Sequence, residues 1–309
     1  MPRMLISGGN GFLGSYLAIA ALRKGFEVVV VDDMSTSSEK NIPKEVKFIR
    51  TKVENYENDG TFDYVVHLAA RPSPEDYISH PISTIMSNSI GTKKMLDIAL
   101  KDDAIFLYTS SSEVYGEASI IPTPESYYGY VNPNGIRSCY DEGKRYSEAL
   151  IMAYHREHNL DTRIQRPFNV YGPRIRPDGQ YGRVIPRFIM QALKNEPLTV
   201  HGDGSQTRSY LYVEDWLDAT WGMLTDPGIS GIVLNVGSSE QITVKELALL
   251  IKDLTDSDSE IINLDRREDD PTRRAADIQN VKKALGWVPE TGLKDGLLKT
   301  IEWLRLNIR

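Results

Sequence analysis

The first 32 residues contain the pattern that most narrows how this chain can fold. An apolar run at residues 4–7 leads directly into GGNGFLG, and a second apolar run ends in two aspartates. Gly9, Gly11 and Gly14 satisfy G-x-G-x-x-G, and Gly8 begins the looser pattern G-x-x-G-x-x-G. Glycines at this spacing permit a tight strand-to-helix turn and let backbone N–H groups approach a pyrophosphate. The pattern predicts a dinucleotide-binding strand–helix–strand unit.

An acidic residue at the end of the second apolar run indicates which dinucleotide is bound. Asp32 lies 18 residues after Gly14. A carboxylate there can accept hydrogen bonds from the adenosine ribose hydroxyls and would repel a 2′-phosphate. The helix that follows the glycines adds partial positive charge for the pyrophosphate. We therefore expect NAD rather than NADP; the alternative is a glycine turn of the same fold that binds nothing.

Strand-like and helix-like segments alternate through the first half of the chain. The predicted strands are 4–7, 27–32, 47–50, 64–68, 105–110 and 162–166. The predicted helices, from their 3.6-residue periodicity, are 11–24, 81–100 and 140–158. Such alternation is typical of α/β proteins with a doubly wound parallel sheet, and it predicts a Rossmann-type fold.

The composition changes after residue 166, where Gly, Pro and Arg become frequent. Two strand-like runs that we expect to return to the main sheet flank a helix at 215–225; they are 209–213 and 232–236. Further helices are predicted at 244–254, 278–285 and 293–306. We expect a smaller, discontinuous α/β substrate-binding subdomain. The predicted division is a NAD-binding domain of 1–166 plus about 209–236, and a sugar-nucleotide-binding subdomain of about 167–208 plus 237–309.

Composition excludes several classes of function. The net charge is −7 with no basic block, so nucleic acid is not an expected partner. The single cysteine, Cys139, cannot form a disulfide within the chain, and the five histidines show no metal-ligand spacing. No apolar stretch approaches the roughly 18–20 residues of a membrane span. We expect a cytoplasmic protein without metal or membrane contacts.

Two further motifs carry the residues for hydride chemistry. The fifth predicted strand ends in YTSSSEVYG, and SCYDEGK opens a long helix. Tyr140 and Lys144 are four residues apart and project from one helical face. A nearby ammonium and a positive nicotinamide ring would lower the pKa of the phenol and make it a base. Ser111 or Ser112 would hold the reacting hydroxyl. With 16 tyrosines in the chain, chance spacing is the alternative.

The order of these motifs resembles that of extended short-chain dehydrogenases/reductases. GGNGFLG, VVDD, HLAA, SSSEVYG, YDEGK, RPFNVYGPR and GDGSQTRSYLYVED follow one another as in that superfamily. The stretch NPNGIRSCYDEGKR is similar to the pattern of the UDP-glucuronate decarboxylase (UDP-xylose synthase) group, as is the tail segment 269–278. The resemblance implies these cofactor-binding residues: Gly8, Gly11, Phe12, Leu13, Gly14, Asp32, Leu68, Ala69, Tyr140 and Lys144.

The resemblance implies oxidation at C4 of a UDP-sugar, loss of the C6 carboxylate as carbon dioxide, and re-reduction. It also implies a homodimer, for which the long helix offers Ala149, Leu150 and Ala153 as an apolar face. A UDP-sugar or UDP-uronate 4-epimerase is the alternative enzyme. A module that senses NAD redox state and binds a protein partner is the alternative of another class.

The resemblance also assigns roles around the sugar carboxylate. Glu113 and Arg274 match residues that act on the carboxylate and on C5. Glu113 beside the substrate carboxylate would be a like-charge arrangement. The alternative for Arg274 is a surface arginine paired with Asp269 or Asp270. Ser112 stands where related 4,6-dehydratases have an aspartic acid, so the resemblance disfavours dehydration.

The remaining implied contacts concern the nucleotide. Arginine forks suit a diphosphate. The substrate-binding residues implied are Ser112, Asn169, Arg174, Arg183, His201, Arg208 and Arg274, with His201 stacked on the uracil. Two features depart from the group's pattern. Lys52 replaces an acidic residue near the adenine, and the segment 176–184 is longer and richer in tyrosine than expected.

Overall fold

The computed structural model describes residues 1–38, 41–58, 60–177, 183–266 and 270–307. The strands are β1 (Arg3–Ser7), β2 (Glu27–Asp32), β3 (Lys47–Arg50), β4 (Tyr64–His67), β5 (Ile105–Thr109), β6 (Thr162–Pro167), β7 (Val170–Tyr171), β8 (Leu198–His201), β9 (Thr207–Arg208), β10 (Leu211–Tyr212), β11 (Ile232–Val236), β12 (Ile242–Thr243), β13 (Ile261–Leu264) and β14 (Arg273–Arg274). The helices are α1 (Phe12–Arg23), α2 (Pro74–Ser79), α3 (Pro81–Met86), α4 (Thr92–Asp102), α5 (Ser138–His158), α6 (Val184–Leu193), α7 (Val213–Thr225), α8 (Val244–Thr255), α9 (Gln279–Leu285) and α10 (Leu293–Asn307). Two 3-10 turns, Val53–Asn55 and Ser112–Tyr115, and one π-helical turn, Ser87–Gly91, complete the helical segments.

A seven-stranded parallel sheet forms the centre of the molecule. Its strand order is β11-β6-β5-β4-β1-β2-β3. β1 and β2 are almost entirely buried, because helices cover both faces of the sheet. Val28 and Val30 belong to the apolar cluster on one face, and Val29 and Val31 to the cluster on the other. The predicted doubly wound sheet is confirmed.

One of the two late strands lies outside the main sheet. β11 pairs with β6 in parallel, as predicted. The run 209–213 was expected to join the same sheet, and this is wrong: β10 pairs only with β7, in a separate two-stranded sheet. Two-residue strands have no periodicity that a sequence pattern can detect, so the sequence could not reveal this partner. The boundaries of the predicted division into two subdomains stay a prediction.

The helix predicted at 81–100 is interrupted. It divides into α3, the π-helical turn at 87–91, and α4. At this turn the Asn88 carbonyl oxygen accepts hydrogen bonds from the hydroxyls of Thr92 and of Ser147 on α5. Gly143 allows this approach, since a Cβ there would lie 3.2 Å from the Asn88 Cβ. The interruption therefore accommodates the helix that carries Tyr140.

Three short sheets form beside the carboxyl ends of the main strands. β8 pairs with β13, β7 with β10, and β9 with both β12 and β14. In the last of these sheets Arg274 lies opposite Arg208 on parallel strands. Residues that are 66 positions apart in the sequence thus become neighbours at one edge of the cleft.

A buried ion pair ties α5 to the sheet. The Nε and Nη2 atoms of Arg166 donate to the two carboxylate oxygens of Glu148, at 2.9 and 2.6 Å. The hydroxyl of Ser110 also donates to Glu148, at 2.5 Å. Since Glu148 lies one turn after Lys144, these bonds hold the helical face that carries Lys144 against the ends of β5 and β6.

We expect Glu148→Ala to lower the free energy of unfolding by about 3–5 kcal/mol, because it leaves the largely buried Arg166 without its carboxylate. Urea denaturation followed by circular dichroism measures this change. Glu157→Ala, at an exposed position of the same helix, is the control and should change stability little. A loss equal to that of the control would contradict the role given to the pair.

Candidate active site

A cavity of about 760 Å³ opens where the main-sheet strands end and the short sheets begin. Cavities at the carboxyl ends of parallel strands are the usual ligand sites of this fold class. Every residue predicted to contact cofactor or substrate lines it: Gly8, Gly11, Phe12, Leu13, Gly14, Asp32, Leu68, Ala69, Ser111, Ser112, Glu113, Tyr140, Lys144, Asn169, Arg174, Arg183, His201, Arg208 and Arg274. The structure thus brings all of them together, and their individual roles stay predictions.

The glycine loop has no room for side chains. Gly8 has a positive φ of 70°, and a Cβ on Gly14 would lie 2.2 Å from the Gly8 carbonyl oxygen. Ser15 N donates to Gly11 O at 3.0 Å as the first bond of α1. The loop therefore leaves its backbone at the cavity surface and at a helix N-terminus, which fits a pyrophosphate.

Asp32 lies at the end of β2 beside this loop. Its carboxylate accepts hydrogen bonds from the backbone N–H groups of Asn10 and Met34, at 3.1 and 2.9 Å, and from the Ser37 hydroxyl at 2.9 Å. Burial raises the pKa of Asp32, and these three bonds oppose the rise. A carboxylate held in this way next to the glycine loop fits the ribose hydroxyls of NAD. Lys52 also lines this part of the cavity.

Tyr140 and Lys144 project from the first turns of α5 into the cavity. Both are buried, and the Lys144 ammonium nitrogen lies 5.8 Å from the centroid of the Tyr140 ring. The ammonium donates a hydrogen bond to the Thr109 carbonyl at 2.7 Å, which ties it to the end of β5. The ring of Tyr77 stacks on that of Tyr140, with centroids 5.2 Å apart.

The expected lowering of the Tyr140 pKa is wrong for the protein by itself. Burial raises the pKa of Tyr140 well above its usual value, and a hydrogen bond with Ser111 opposes the rise. Burial also lowers the pKa of Lys144 to about 7. Desolvation is thus the largest cause of both shifts, and it favours the neutral form of each group. A positive nicotinamide ring bound nearby would instead lower the pKa of the Tyr140 phenol.

The serines follow β5 in a short turn. Ser111 caps the 3-10 turn Ser112–Tyr115, and its Oγ accepts a hydrogen bond from the backbone N–H of Glu113 at 3.2 Å. The turn places Ser111 next to Tyr140 and directs Glu113 toward the opposite wall. Ser112 is buried beside them.

Glu113 is held between two arginines. Arg137 donates to one of its carboxylate oxygens and Arg274 to the other. Burial raises the pKa of Glu113, but the attraction of Arg137 and Arg274 is greater and lowers the pKa to about 2. Glu113 is therefore ionised and its charge is compensated. The two arginines thus reduce the like-charge repulsion that the sequence suggested for a substrate carboxylate.

The structure corrects the alternative for Arg274. This residue is 5% exposed, so it is not a surface arginine. Asp270 pairs instead with Arg208, at 3.0 Å, and with Arg137, at 3.4 Å. Asp269 lies outside the described residues. One Nη of Arg274 is buried without a hydrogen-bond partner among the described residues, so it is available to an anion.

Sequence reasoning missed Arg137. It lies three residues before Tyr140 in GIRSCYDEGK, so a helical reading places both on one face. Its guanidinium also lies over the Tyr77 ring, 5.9 Å from the centroid. The i, i+3 spacing was the available signal. What the spacing could not reveal is that Glu113, from another element, reaches the same guanidinium.

The other predicted substrate residues surround the second half of the cavity. Asn169 has a positive φ of 42°, and its amide donates to the Ser209 carbonyl at 2.8 Å. The Arg174 guanidinium lies 4.7 Å from the centroid of the Tyr16 ring. Arg183 precedes α6, and His201 ends β8. Within the unusual segment 176–184, residues 178–182 lie outside the described residues.

The described ranges contain neither a metal-ligand cluster nor a membrane-spanning helix. Within them no group of three or more His, Cys, Asp or Glu side chains could hold a metal ion. None of the helices described is long and apolar enough to cross a membrane.

Known proteins are similar to this chain in both sequence and structure. The profile of the NAD dependent epimerase/dehydratase family matches residues 4–237. UDP-glucuronic acid decarboxylase 5 of Arabidopsis thaliana is 42% identical, with 99% of this chain and 90% of the plant protein aligned. UDP-glucose 4-epimerase of Thermotoga maritima, solved with UDP-glucose, superimposes with a TM-score of 0.92 at 29% identity, covering 99% of this chain and 100% of that one.

A further solved structure contains both kinds of ligand. MoeE5 in complex with UDP-glucuronic acid and NAD superimposes with a TM-score of 0.87 at 26% identity, covering 99% of this chain and 100% of that one. The family profile matches more than half of the chain, and the plant relative aligns with nearly all of it. The chain therefore belongs to the NAD dependent epimerase/dehydratase family, which confirms the family and cofactor predicted from its sequence.

Proposed function

We propose that this protein is a UDP-glucuronate decarboxylase that uses NAD to oxidise the sugar at C4, releases the C6 carboxylate as carbon dioxide, and re-reduces the product to UDP-xylose. The observation that carries the proposal is Glu113 held between Arg137 and Arg274 in the cavity that contains Tyr140. Two buried arginines next to the hydride-transfer residues suit a substrate with a carboxylate beside the reacting carbon. The aligned plant relative, named a UDP-glucuronic acid decarboxylase, supports it.

The residues at the end of β5 and the start of α5 serve the oxidation step. NAD, held by the glycine loop and Asp32, would supply reversible hydride transfer at C4, so the reaction would have no net oxidation. Ser111 holds the C4 hydroxyl, and Tyr140 accepts its proton. Lys144, one helical turn further on, compensates the phenolate charge. The same Tyr140 returns the proton when C4 is reduced.

The arginine–glutamate group serves the carbon–carbon cleavage. Once C4 is a ketone, the C6 carboxylate is β to it, and the bond between C5 and C6 breaks with its electrons delocalised as an enolate. Arg274 binds the carboxylate through its buried Nη and then assists protonation at C5, directly or through water. Glu113 orients Arg137 and Arg274. Ser112 in place of an acid argues against loss of a 6-hydroxyl.

The rest of the cavity suits the nucleotide diphosphate. Arg208, Arg174 and Arg183 are among the cationic donors that line it, and His201 offers a ring for the uracil. Arg208 is buried and oriented by Asp270, so its fork is rigid. Asn169 adds an amide at the junction of β7 with the cleft.

Purified protein incubated with UDP-glucuronate and NAD should release carbon dioxide and form a UDP-pentose, with the mass change measured by mass spectrometry. A product of unchanged mass would instead identify a 4-epimerase, the activity of the structurally similar Thermotoga enzyme. UDP-glucose, which lacks the carboxylate, is the control and should not lose carbon.

Tyr140→Phe should lower the turnover of UDP-glucuronate by about 100- to 10,000-fold, because the variant lacks the group that accepts the proton. The rate of carbon dioxide release measures this. Tyr146→Phe, on the same helix but exposed, is the matched control and should keep full activity. Unchanged turnover in the Tyr140 variant would remove the catalytic assignment and favour an NAD-sensing module.

We also propose that the protein is a homodimer, as the resemblance implied, and that it is cytoplasmic, as its composition indicated. Ile82, Met86 and Ile90 are exposed on α3 and the π-helical turn, which pack beside α5. Tyr146 and Ala149 are exposed on α5 itself. Apolar side chains at helical spacing on two neighbouring helices form a patch that a second copy could cover by twofold symmetry.

Ile82→Glu should shift the protein from dimer toward monomer, because Ile82 is 76% exposed at the centre of the proposed contact. Multi-angle light scattering after gel filtration measures the molar mass. Leu249→Glu, at an exposed position of α8, is the control and should leave the mass unchanged. A wild-type protein that elutes as a monomer at all concentrations would refute the dimer.

A further inference from the structure

Arg137 is surrounded by three carboxylates from three parts of the chain. It donates to Glu113 in the turn after β5 and to Asp270 near β14. The third is Asp141 on α5, one helical turn after Arg137, with a carboxylate oxygen 3.9 Å from the Arg137 Nε. Glu113 and Asp270 line the cavity, whereas Asp141 lies behind the guanidinium.

Asp141 is the least satisfied of the three carboxyl groups. It is 6% exposed, and its Oδ1 has no hydrogen-bond partner among the described residues. The Nε of Arg137 is buried and without a hydrogen bond in the same part of the chain. Burying a carboxylate without a hydrogen-bond donor costs free energy, and this destabilises its charged form relative to the protonated one. Burial, followed by repulsion from Glu113, raises the pKa of Asp141 to about 8 although Arg137 opposes the rise.

The ionisable groups around Asp141 come from every side. The groups that act on it or are acted on by it are Arg137, Cys139, Tyr140 and Glu142 on α5, Tyr77 on α2, Glu113 after β5, and Arg274 on β14. The segments α3 and Ser87–Gly91, which pack against the start of α5, contain no ionisable side chain. Within this set, Asp141 is the carboxyl group whose charge changes near neutral pH.

The charge of the whole group depends on that change. Arg137, Arg208 and Arg274 contribute three positive charges, and Glu113 and Asp270 contribute two negative ones. With Asp141 protonated, the group has one positive charge in excess. With Asp141 ionised it is neutral. One excess positive charge is what a single substrate carboxylate would compensate.

We propose that Asp141 is a positioning residue that acts through Arg137 and couples the binding of an acidic sugar nucleotide to its own protonation. As a neutral acid it leaves Arg137 with Glu113 and leaves the excess charge for the substrate. When ionised, Asp141 attracts the Arg137 Nε in competition with Glu113 and the substrate. Its negative charge also cancels the excess positive charge of the group. This inference rests on the proposed function, since it assumes a substrate with a carboxylate.

The sign of the pH dependence follows from linkage. A substrate carboxylate favours the protonated form of Asp141, so binding keeps or takes up a proton and weakens as the pH rises through about 8. Between about pH 7 and about pH 9, the affinity for UDP-glucuronate should fall about tenfold, the change expected for one proton with that pKa. The affinity for UDP-glucose should change by less than about twofold. UDP-glucose has the same uracil and diphosphate and would bind beside the same Lys144, but it has no carboxylate.

Isothermal titration calorimetry tests this on the full chain with NAD present, in a Tyr140→Phe background that prevents turnover. Asp141→Asn keeps the size of the side chain and removes its ionisation, so it should abolish the difference between the two ligands in their pH dependence. Glu142→Gln, the neighbouring and more exposed carboxylate that pairs with Arg145, should retain it.

A second measurement does not depend on folding of the Asp141 variant. At about pH 8, titrations in two buffers of different ionisation enthalpy should show proton uptake with UDP-glucuronate and none with UDP-glucose. Absence of uptake, or equal pH dependence for both ligands, overturns the proposal. Failure of the proposed function has a different signature: the wild type then releases no carbon dioxide, whatever the pH dependence of binding.

Discussion

The parallel direction of the seven central strands is the constraint on which the rest of this structure depends. Because all the strands run the same way, their carboxyl ends meet at one edge, and the loops that follow six of the seven strands line the same cavity. β1 contributes the glycine loop, β2 contributes Asp32, and β5 contributes Ser111 and Glu113. The parallel sheet therefore determines where the site lies, and the helices determine how its polar groups are aligned.

Burial then determines the electrostatics of the cleft. Desolvation acts in opposite directions on Tyr140 and Lys144: it raises the pKa of the phenol and lowers that of the ammonium. Around Glu113 the same desolvation is overcome by two arginines. The difference arises because Glu113 has two cationic partners, whereas Lys144 donates to a neutral carbonyl. The charge of Glu113 is thus compensated, whereas burial shifts both Tyr140 and Lys144 toward their neutral forms.

The helix α5 connects these two regions. Arg137 precedes its first turn, Tyr140 and Lys144 lie on its first and second turns, and Glu148 ties its middle to Arg166. A change that loosens this helix would therefore displace Tyr140 and Arg137 together. The π-helical turn before α4 belongs to the same arrangement, since it lets Ser147 of α5 reach the Asn88 carbonyl.

Local sequence patterns were sufficient to predict much of the fold and part of the site. The glycine spacing, Asp32 and the Tyr140–Lys144 pair could be read from the sequence because turns, strand ends and helical faces depend on residues close in the chain. The partners of Glu113 could not, because Arg137 and Arg274 are 24 and 161 positions away and meet it only when the strands are assembled. The pairing of β10 with β7 and the raised pKa values of Tyr140 and Asp141 also required tertiary structure. Burial and long-range contact are properties of the packed chain, and no short pattern contains them.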